Sequence, residues 1–294
     1  MSTKQLTPHL IKGGVMSQQF KSMNRELTTS WSKDNANISK PYSQVHLKRA
    51  GKQLLLILPD TQPKEGNKDW IELLQELKYC LNHHKGTWTP ATPVHLLVEN
   101  RLLDSRQFHN IGEALEAAEL KLTRVFTSRR QTAITAATAG YSVEQETPKQ
   151  ELFATDIATP SNLSEPLYLT TTVRSGVAIR HPGSIIIQGD VNPGGEVIAD
   201  GDIIIWGHLR GIAHAGAKGN PECCIMALRM RPTQLRIGEA VARSPGDTQE
   251  VFEAEVAYLT NEGIRLKSAL NFNKTHTFIT KDKVWTQKNT SNLA

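Results

Sequence analysis

The sequence predicts a two-part chain: an α+β N-terminal domain with a mixed sheet and helices, followed by an all-β triangular solenoid with three short strands per turn. Two observations predict this fold class. Across residues 45–140, segments typical of strands alternate with segments of helical periodicity. From Val173 onward, every sixth residue is apolar, and glycines recur with the same period. A fixed short repeat of this kind is typical of stacked strands rather than of a single globular core.

The first half of the N-terminal domain is predicted to contain a hairpin, a helix and a buried strand. Residues 45–48 and 53–58 are strand-like and flank a short segment that contains Gly51. Tryptophan and leucine recur at helical spacing over 69–81, so this segment is predicted to be an amphipathic helix. Residues 94–98 form a short apolar run that indicates a buried strand.

The second half of this domain repeats the helix and strand alternation. Asp104 is expected to cap a helix over residues 105–118, because its carboxylate can accept hydrogen bonds from free N–H groups in the first turn. Residues 120–126 are predicted to form a strand. Thr127 or Ser128 is expected to cap a last helix that extends through Ala137. The predicted order over 45–140 is therefore β-β-α-β-α-β-α.

Three flanking segments lack a periodic pattern. Residues 1–44 are polar, with six basic residues against two acidic ones, and are predicted to be a disordered basic tail. Residues 141–166 contain five acidic residues and three prolines, which predicts an acidic flexible linker. Within the predicted solenoid domain (167–271), residues from 231 onward lose the period and are expected to close its end, and 272–294 are expected to be a polar tail.

The six-residue period gives the inward-facing positions of the solenoid. Gly-Ser-Ile-Ile-Ile-Gln-Gly at 183–189 recurs 18 residues later as Gly-Asp-Ile-Ile-Ile-Trp-Gly at 201–207. A six-residue register inside an 18-residue repeat predicts three strands per turn, with glycines at the corners. The residues expected to point inward are Val173, Ile179, Ile185, Val191, Val197, Ile203, Leu209 and Ala215.

The same register predicts which side chains form outward-facing columns. Arg174, Asn192 and Arg210 are spaced 18 apart and are expected to lie on one face, a candidate partner face. Ile186 and Ile204 share another face, where two stacked isoleucines would be exposed. Exposed apolar patches usually mark interfaces, so this face is predicted to mediate self-association.

Composition and motifs exclude several function classes. Much of the net charge of +5 lies in the N-terminal tail, which argues against nucleic-acid binding. The apolar runs are too short to span a bilayer, and no secretory leader is evident. Three cysteines without a metal-binding spacing indicate a reducing, cytoplasmic compartment. The histidines do not converge in the register and no Walker A motif occurs, so no metal site and no cofactor are expected.

Four segments of the predicted solenoid carry a family resemblance. They are Arg174-Ser175-Gly176, then 194–203, 206–211 and 215–217, with closing strands over 257–270. Together they resemble the MinC family of septum site-determining proteins, over roughly residues 168–271. The N-terminal domain is similar to that family in layout rather than in motif.

The resemblance implies a right-handed β-helix that dimerises through one face and has no enzymatic activity. It implies an inhibitor of FtsZ polymer assembly that the ATPase MinD recruits to the inner face of the membrane. The expected partners are FtsZ, MinD and a second copy, with membrane contact only through MinD. Residues 45–140 would be the FtsZ-inhibitory domain, and their candidate FtsZ contacts, chosen by charge, are Lys121, Arg124, Arg129 and Arg130.

The resemblance also implies a MinD-binding site. The family's Arg-Ser-Gly motif falls on Arg174, Ser175 and Gly176, and a family glycine that affects this contact falls on Gly194. Both glycines are expected to leave a flat surface that a partner backbone can approach. Two positions depart from the family pattern, since Val177 stands where glutamine is usual and Ile212 where a second arginine, implied to contact the FtsZ tail, is frequent.

Two other functions fit a solenoid of this kind. Hexapeptide-repeat acyl transferases and sugar-nucleotide transferases use a histidine to deprotonate a hydroxyl, and His181, His208 or His214 could be that base. A polar scaffold that stacks end to end is the third hypothesis, although the closing segment after residue 231 argues against uncontrolled stacking.

Overall fold

The computed structural model describes residues 44–59, 70–146, 163–243 and 253–288. The predicted basic tail lies outside the described residues except for residue 44, as do residues 147–162 of the predicted linker. Within the described ranges the chain is α+β and its C-terminal half is rich in strands. The strands form a ten-stranded sheet, a six-stranded sheet and a two-stranded hairpin.

The N-terminal part (residues 44–146) has the predicted order with one additional strand. Its strands are β1 His46–Ala50, β2 Gln53–Ile57, β3 Thr92–Leu97, β4 Leu120–Thr127 and β5 Ser142–Gln145. Its helices are α1 Trp70–His83, α2 Ser105–Ala117 and α3 Arg130–Thr138. The β1–β2 pair is an antiparallel hairpin, and β2, β3, β4 and β5 are parallel neighbours in that order. The predicted strands and helices of 45–140 are confirmed.

The helix caps are only partly as expected. Asp104 accepts a hydrogen bond from the Gln107 backbone N–H at 2.8 Å, and the Gln107 side chain accepts one from the Asp104 N–H at 3.0 Å. This reciprocal capping box confirms the predicted start of α2. The cap expected at Thr127 or Ser128 is not present, because α3 begins two residues later with Arg129 at the cap position and no side-chain cap. The Thr127 hydroxyl instead accepts from the Arg129 N–H at the end of β4.

The C-terminal stack (residues 164–243 and 255–268) consists of eleven described strands. They are β6 Ser164–Leu169, β7 Ala178–His181, β8 Gly183–Gln188, β9 Glu196–Ala199, β10 Ile203–Leu209, β11 Ile212–Ala215, β12 Ile225–Met230, β13 Gln234–Ile237, β14 Ala240–Arg243, β15 Glu255–Thr260 and β16 Gly263–Ser268. One parallel ladder joins β6, β8, β10 and β12, and another joins β7, β9, β11 and β13. Isolated parallel bridges join Val173, Val191 and Leu209 on a third row.

The predicted inward positions are confirmed, since all eight of those residues are buried. The register follows the 18-residue spacing where Ile185 pairs with Ile203 and where Ile179 pairs with Val197. It then changes, because Val197 pairs with Ala213 rather than with Ala215. The reason is a difference in connection length. The connection from Leu209 to β11 is two residues shorter than the equivalent connection from Val191 to β9. A shift of two residues keeps the same side chains inward, so Ala215 stays buried.

Two glycines mark places where successive repeats approach too closely for a side chain. A Cβ atom at Gly207 would overlap the carbonyl oxygen of Gly189, and one at Gly211 would overlap that of Gly195. Both obstacles are backbone atoms of the preceding repeat, which cannot move without breaking the ladder. The glycine period in the sequence therefore reflects the stacking distance between repeats.

Both described ends of the linker expected at 141–166 differ from the prediction, because residues 142–145 form β5 and residues 164–166 belong to β6. Strand β5 pairs in parallel with β7, through Val143 with Ile179 and Glu144 with Arg180. The pairing joins the N-terminal sheet to the C-terminal stack, so ten strands form one sheet. A single cluster of buried side chains likewise includes residues of both parts.

Side chains reinforce this junction between β5 and β7. His181 is fully buried, with Nδ1 3.0 Å from Gln145 Oε1 and Nε2 2.9 Å from the Glu165 carbonyl oxygen. The Ala178 N–H donates to Ser142 Oγ at 3.1 Å. The Arg180 guanidinium lies 3.1 Å from the Glu144 carboxylate. The acidic composition that indicated a linker thus includes a carboxylate that is paired across the junction.

The polar tail expected at 272–294 also differs, because residues 272–288 fold as a C-terminal extension. It comprises the short helix α4 Phe272–Thr275 and a hairpin of β17 His276–Ile279 and β18 Val284–Gln287. Phe272 and Trp285 pack with Cys224, Val256 and Tyr258 in a second buried cluster. Two aromatic side chains supply enough apolar surface to order this otherwise polar segment.

Burial of His181 makes the stability of the fold depend on pH. Desolvation lowers the pKa of His181, and the hydrogen bond to the Glu165 carbonyl, together with the nearby Asp200 carboxylate, opposes this only in part, while the Arg130 guanidinium lowers the pKa further. The unfolded chain therefore binds a proton at a higher pH than the folded chain does, and stability is complete only above the unfolded pKa of about 6.5. We expect the free energy of unfolding to fall as the pH is lowered from 7 towards 5, with a smaller fall for His181→Gln.

Urea unfolding monitored by circular dichroism at several pH values measures how the free energy of unfolding depends on pH in the wild-type chain and in His181→Gln. Burial also lowers the pKa values of His95, His214 and His276. The stability of His181→Gln therefore retains part of its dependence on pH. Identical pH slopes for the wild-type chain and His181→Gln would contradict the assignment.

Candidate functional site

The loop that follows Val173 presents the predicted Arg-Ser-Gly motif to solvent. Arg174, Ser175 and Gly176 are all exposed and lie between the Val173–Val191 bridge and β7. Gly176 has a φ of +80°, and no atom lies within 4 Å of the position that a Cβ would take. The Gly176 N–H donates to the Gly194 carbonyl at 2.9 Å, which ties this loop to the next repeat. Backbone geometry, rather than side-chain packing, thus holds the motif at the surface.

The structure brings Gly194 into contact with this loop, but in a different way from the one expected. We expected Gly194 to leave open surface, as Gly176 does. Instead, a Cβ at Gly194 would lie 2.5 Å from Ser175 Oγ. Gly194 also has a left-handed φ of +80°. It therefore makes room for the Ser175 side chain and supports the loop from beneath.

Arg174, Asn192 and Arg210 form the predicted column, and its members differ in their contacts. The Arg210 guanidinium donates to Asn192 Oδ1 at 2.7 Å and to Asp190 Oδ2 at 3.1 Å. Among the described residues, the Arg174 guanidinium has neither a hydrogen-bond partner nor an ion-pair partner. A guanidinium held by neighbours is less available to a ligand than a solvated one, so Arg174 is the more available of these two arginines.

Asp190 organises the ionic cluster around Arg210. Burial of its carboxylate opposes ionisation, but the backbone N–H and side chain of His208 and the charge of Arg210 hold the pKa below its usual value. The His208 N–H donates to Asp190 Oδ1 at 2.8 Å, and His208 Nδ1 lies 3.4 Å from Oδ2. Asp190 is therefore ionised at neutral pH and fixes the orientation of Arg210.

Ile186 and Ile204 lie side by side in the six-stranded sheet, as the register predicted. Ile204 is 39% exposed and Ile186 is half-buried. Neighbouring outward positions on the same sheet are also apolar and widen the patch: Tyr168, Trp206, Met226 and Leu228. The C-terminal extension packs against Met226 but leaves Ile204 and Trp206 exposed. The sequence period identified two residues of a surface that contains six.

The four basic residues chosen as candidate FtsZ contacts do not all remain available. Lys121 is exposed on β4. Arg124 lies 3.6 Å from Glu144 of β5, and Arg129 Nε donates to the Asn100 carbonyl at 2.8 Å. The Arg130 guanidinium contacts the Glu165 carboxylate at 2.9 Å and the Pro166 carbonyl at 3.2 Å, so it binds α3 to the stack. Charge alone did not indicate this structural role, because Glu165 is distant in sequence.

The histidines considered as bases occupy different surroundings. Both ring nitrogens of His181 are within hydrogen-bonding distance of protein atoms, and its side chain is inaccessible to a substrate. His214 is buried, and its Nε2 lies 3.0 Å from the Gly238 carbonyl oxygen. Within the ranges that the structure describes, no group of three or more His, Cys, Asp or Glu side chains could hold a metal ion.

A search of the helices in the described part of the chain finds none with the length and apolar character needed to cross a bilayer.

Comparisons with known proteins agree on one family. The family model described as "Septum formation inhibitor MinC, C-terminal domain" matches residues 167–269. A probable septum site-determining protein MinC from Nostoc sp. is 49% identical over 232 residues, which cover 79% of this chain and 63% of the relative. The chain thus spans less than two thirds of that relative's length. Proteins of the same name from Gloeobacter violaceus and Thermosynechococcus vestitus are each 44% identical, and the alignments cover 81% and 85% of their lengths.

One solved structure that is similar to this chain is the MinC:MinD cell division protein complex of Aquifex aeolicus. The matched region is 41% identical and covers 36% of this chain and 87% of that one, with a TM-score of 0.34. The relatives from Gloeobacter and Thermosynechococcus match 78% and 79% of this chain, so the similarity extends well beyond the stacked strands. On this evidence, the chain belongs to the MinC family of septum site-determining proteins.

Proposed function

We propose that this protein inhibits cell division by blocking FtsZ polymer assembly away from mid-cell, and that the ATPase MinD recruits it to the membrane. It would act in the cytoplasm, reach the inner membrane face only through MinD, and carry out no catalysis. The observation that carries the proposal is the exposed Arg174-Ser175-Gly176 loop in a chain of this family. The family resemblance assigns MinD binding to that motif.

The contacts of this loop support recruitment at Arg174. Arg174 offers a solvated guanidinium, which can form a bidentate pair with a partner carboxylate at little reorganisation cost. Gly176 leaves its backbone open beside it, and Ser175 is held between Gly176 and Gly194. A partner can therefore contact the side chain of Arg174 and the backbone of the loop together.

The architecture that we propose for the C-terminal stack is a triangular right-handed β-helix. The two parallel ladders and the row of bridges at Val173, Val191 and Leu209 supply the three sides of each repeat. Right-handedness follows from the family resemblance. The closing strands β14, β15 and β16 pair in antiparallel fashion and end both ladders.

The apolar patch of six residues around Ile186 and Ile204 supports a homodimer. Trp206 is 64% exposed and Tyr168 is 49% exposed, and large aromatic side chains of this kind are typical of interface centres. A two-fold axis through the centre of the patch would bring the same surface of both copies together. The occupant that we propose is therefore a second copy of the chain.

The action on FtsZ would reside mainly in the N-terminal part, as the family resemblance implies. Lys121 is the candidate contact whose side chain remains exposed, whereas Arg124, Arg129 and Arg130 make contacts within the chain. The transferase alternative is not favoured, because His181 and His214 are buried and His208 is held by Asp190. A division regulator explains the exposed loop and the apolar patch without a catalytic base.

Replacing Ile186 and Ile204 together with aspartate should yield a folded monomer. Two carboxylates at the centre of an apolar interface would each lose hydration on association, which the remaining contacts cannot offset. Multi-angle light scattering measures the mass, and circular dichroism tests the fold. The matched control is Val241→Asp, which introduces the same charge at a residue that is 55% exposed on β14. A dimer of unchanged stability in the double variant would contradict the assigned face.

Replacing Arg174 with alanine should abolish ATP-dependent co-sedimentation with MinD on lipid vesicles. Loss of an interfacial arginine typically costs about 2 kcal/mol or more, which is about thirtyfold in affinity. Gly194→Asp should have a similar effect by displacing the Ser175 side chain. Both variants should still lower the amount of FtsZ polymer that sediments in solution, because the N-terminal part is unchanged.

The control for these variants is Arg243→Ala, which removes an exposed arginine from β14, remote in sequence from the loop. Normal MinD binding by folded Arg174→Ala and Gly194→Asp would place recruitment elsewhere. If the wild-type chain had no effect on FtsZ polymers, the proposed function itself would be wrong.

A further inference from the structure

The Arg174 loop lies beside a cleft between the two parts of the chain. One wall of the cleft is the end of α3 and the turn after it, residues 137–140. The other wall belongs to the C-terminal stack and consists of residues 171–174 with Val177 and Ile179. Arg174 therefore forms part of a surface that continues onto the N-terminal part.

The junction fixes the relative position of these two walls. β5 follows directly after the α3 wall and pairs with β7, which follows directly after the Arg174 loop. The buried contact of His181 with Gln145 and the Arg130–Glu165 ion pair also link the two parts. Because both walls are anchored by hydrogen bonds, a partner would meet a preformed cleft rather than two independent surfaces.

The chemistry of the cleft is simple. Its stack wall contains Val177, which packs against the core, and the buried Ile179. Its rim on the N-terminal side is formed by Thr138, Ala139 and Gly140, which are exposed. Small side chains on one rim and a solvated cation on the other leave room for a partner side chain between them.

Bare backbone is present on both rims. Gly140 has a φ of +87° and Gly176 a φ of +80°, and at neither glycine would a Cβ meet another atom within 4 Å. Because neither residue has a side chain and both turns are exposed, a partner can approach the backbone closely at each of them. The two glycines thus provide close-approach points on either side of the cleft.

The cleft also accounts for Val177. This position departs from the glutamine that is usual after the family's Arg-Ser-Gly motif, and here it lines a wall that faces α3. Val177 is half-buried and packs against the core, where an aliphatic side chain needs no hydrogen-bond partner. The substitution is consistent with an N-terminal part docked at this site.

We infer that the recruiting partner binds across this cleft, so that its contact surface includes residues 138–140 of the N-terminal part as well as Arg174. The inference rests on the proposed function and extends its site. The partner segment that fits has an acidic side chain for Arg174 beside a small aliphatic side chain for the cleft. Residues 138–140 would then add contacts to those that the C-terminal stack supplies by itself.

The test places a bulky side chain on the α3 rim of the full-length chain. Ala139 is exposed, with φ of −72° and ψ of −6°, so glutamate fits there without backbone strain. Ala139→Glu fills the cleft mouth and adds a negative charge near Arg174, which should repel the acidic partner side chain and compete with it for the guanidinium. We expect ATP-dependent binding to MinD on vesicles to weaken at least about tenfold. Thr138→Glu, at the last residue of α3, should act in the same direction.

The matched control is Ala117→Glu, which makes the same change at an exposed alanine in the last turn of α2, outside the residues that line the cleft. This control should bind MinD as the wild-type chain does. If both rim variants bind normally while Arg174→Ala does not, the composite surface is wrong and the proposed function stands. If Arg174→Ala also binds normally, the proposed recruitment site fails. Thermal unfolding of each variant confirms that any loss of binding does not reflect loss of the fold.

Discussion

The parallel pairing of β5 with β7 is the contact on which the arrangement of the rest of the molecule depends. It consists of two residue pairs, Val143 with Ile179 and Glu144 with Arg180, yet it joins five strands of each part into one sheet. The pairing also satisfies backbone groups at the open edge of the first repeat, which would otherwise be exposed to chance strand addition. Antiparallel strands protect the other end. The N-terminal part thus acts as a cap of the stack.

This arrangement separates two candidate binding surfaces, the apolar patch and the Arg174 loop. The apolar patch around Ile204 lies on the six-stranded sheet, whereas the Arg174 loop lies before β7 of the ten-stranded sheet. Under the proposed function, the sites for a second copy and for a recruiting partner would therefore not overlap. The three arginines also differ in their ionic contacts. Arg210 pairs with Asp190 and Arg130 pairs with Glu165, whereas Arg174 remains solvated.

The sequence was sufficient to predict the repeating elements, because they follow from local rules. All eight residues that the six-residue period predicted to point inward are buried, since each repeat contacts only its neighbours and one pattern serves them all. Asp104 was recognisable as a cap because capping depends on residues three positions apart. The site loop was identified through motif resemblance at Arg174, and the position of its side chain in the column followed from the register.

Features that depend on distant residues could not be predicted. β5 contains a single aliphatic residue, Val143, and becomes a strand only because sheets lie on both of its sides. The C-terminal extension is polar apart from a few residues, of which Phe272 and Trp285 are effective only against Tyr258 and Val256. The basic residues of the N-terminal part were chosen as candidate FtsZ contacts by charge alone. The ion pairs that occupy Arg124 and Arg130 could not be foreseen, because their partners lie at least 20 positions away in sequence.

The most direct test of the account is a distance measurement between the two parts in solution. Spin labels at Ala117→Cys and Val241→Cys, in a Cys80→Ser chain mixed with an excess of unlabelled protein, report the separation within one chain by double electron–electron resonance. A continuous ten-stranded sheet predicts one narrow distance distribution that Ile186→Asp with Ile204→Asp leaves unchanged. A broad distribution, as expected for two units on a flexible linker, would contradict the central claim.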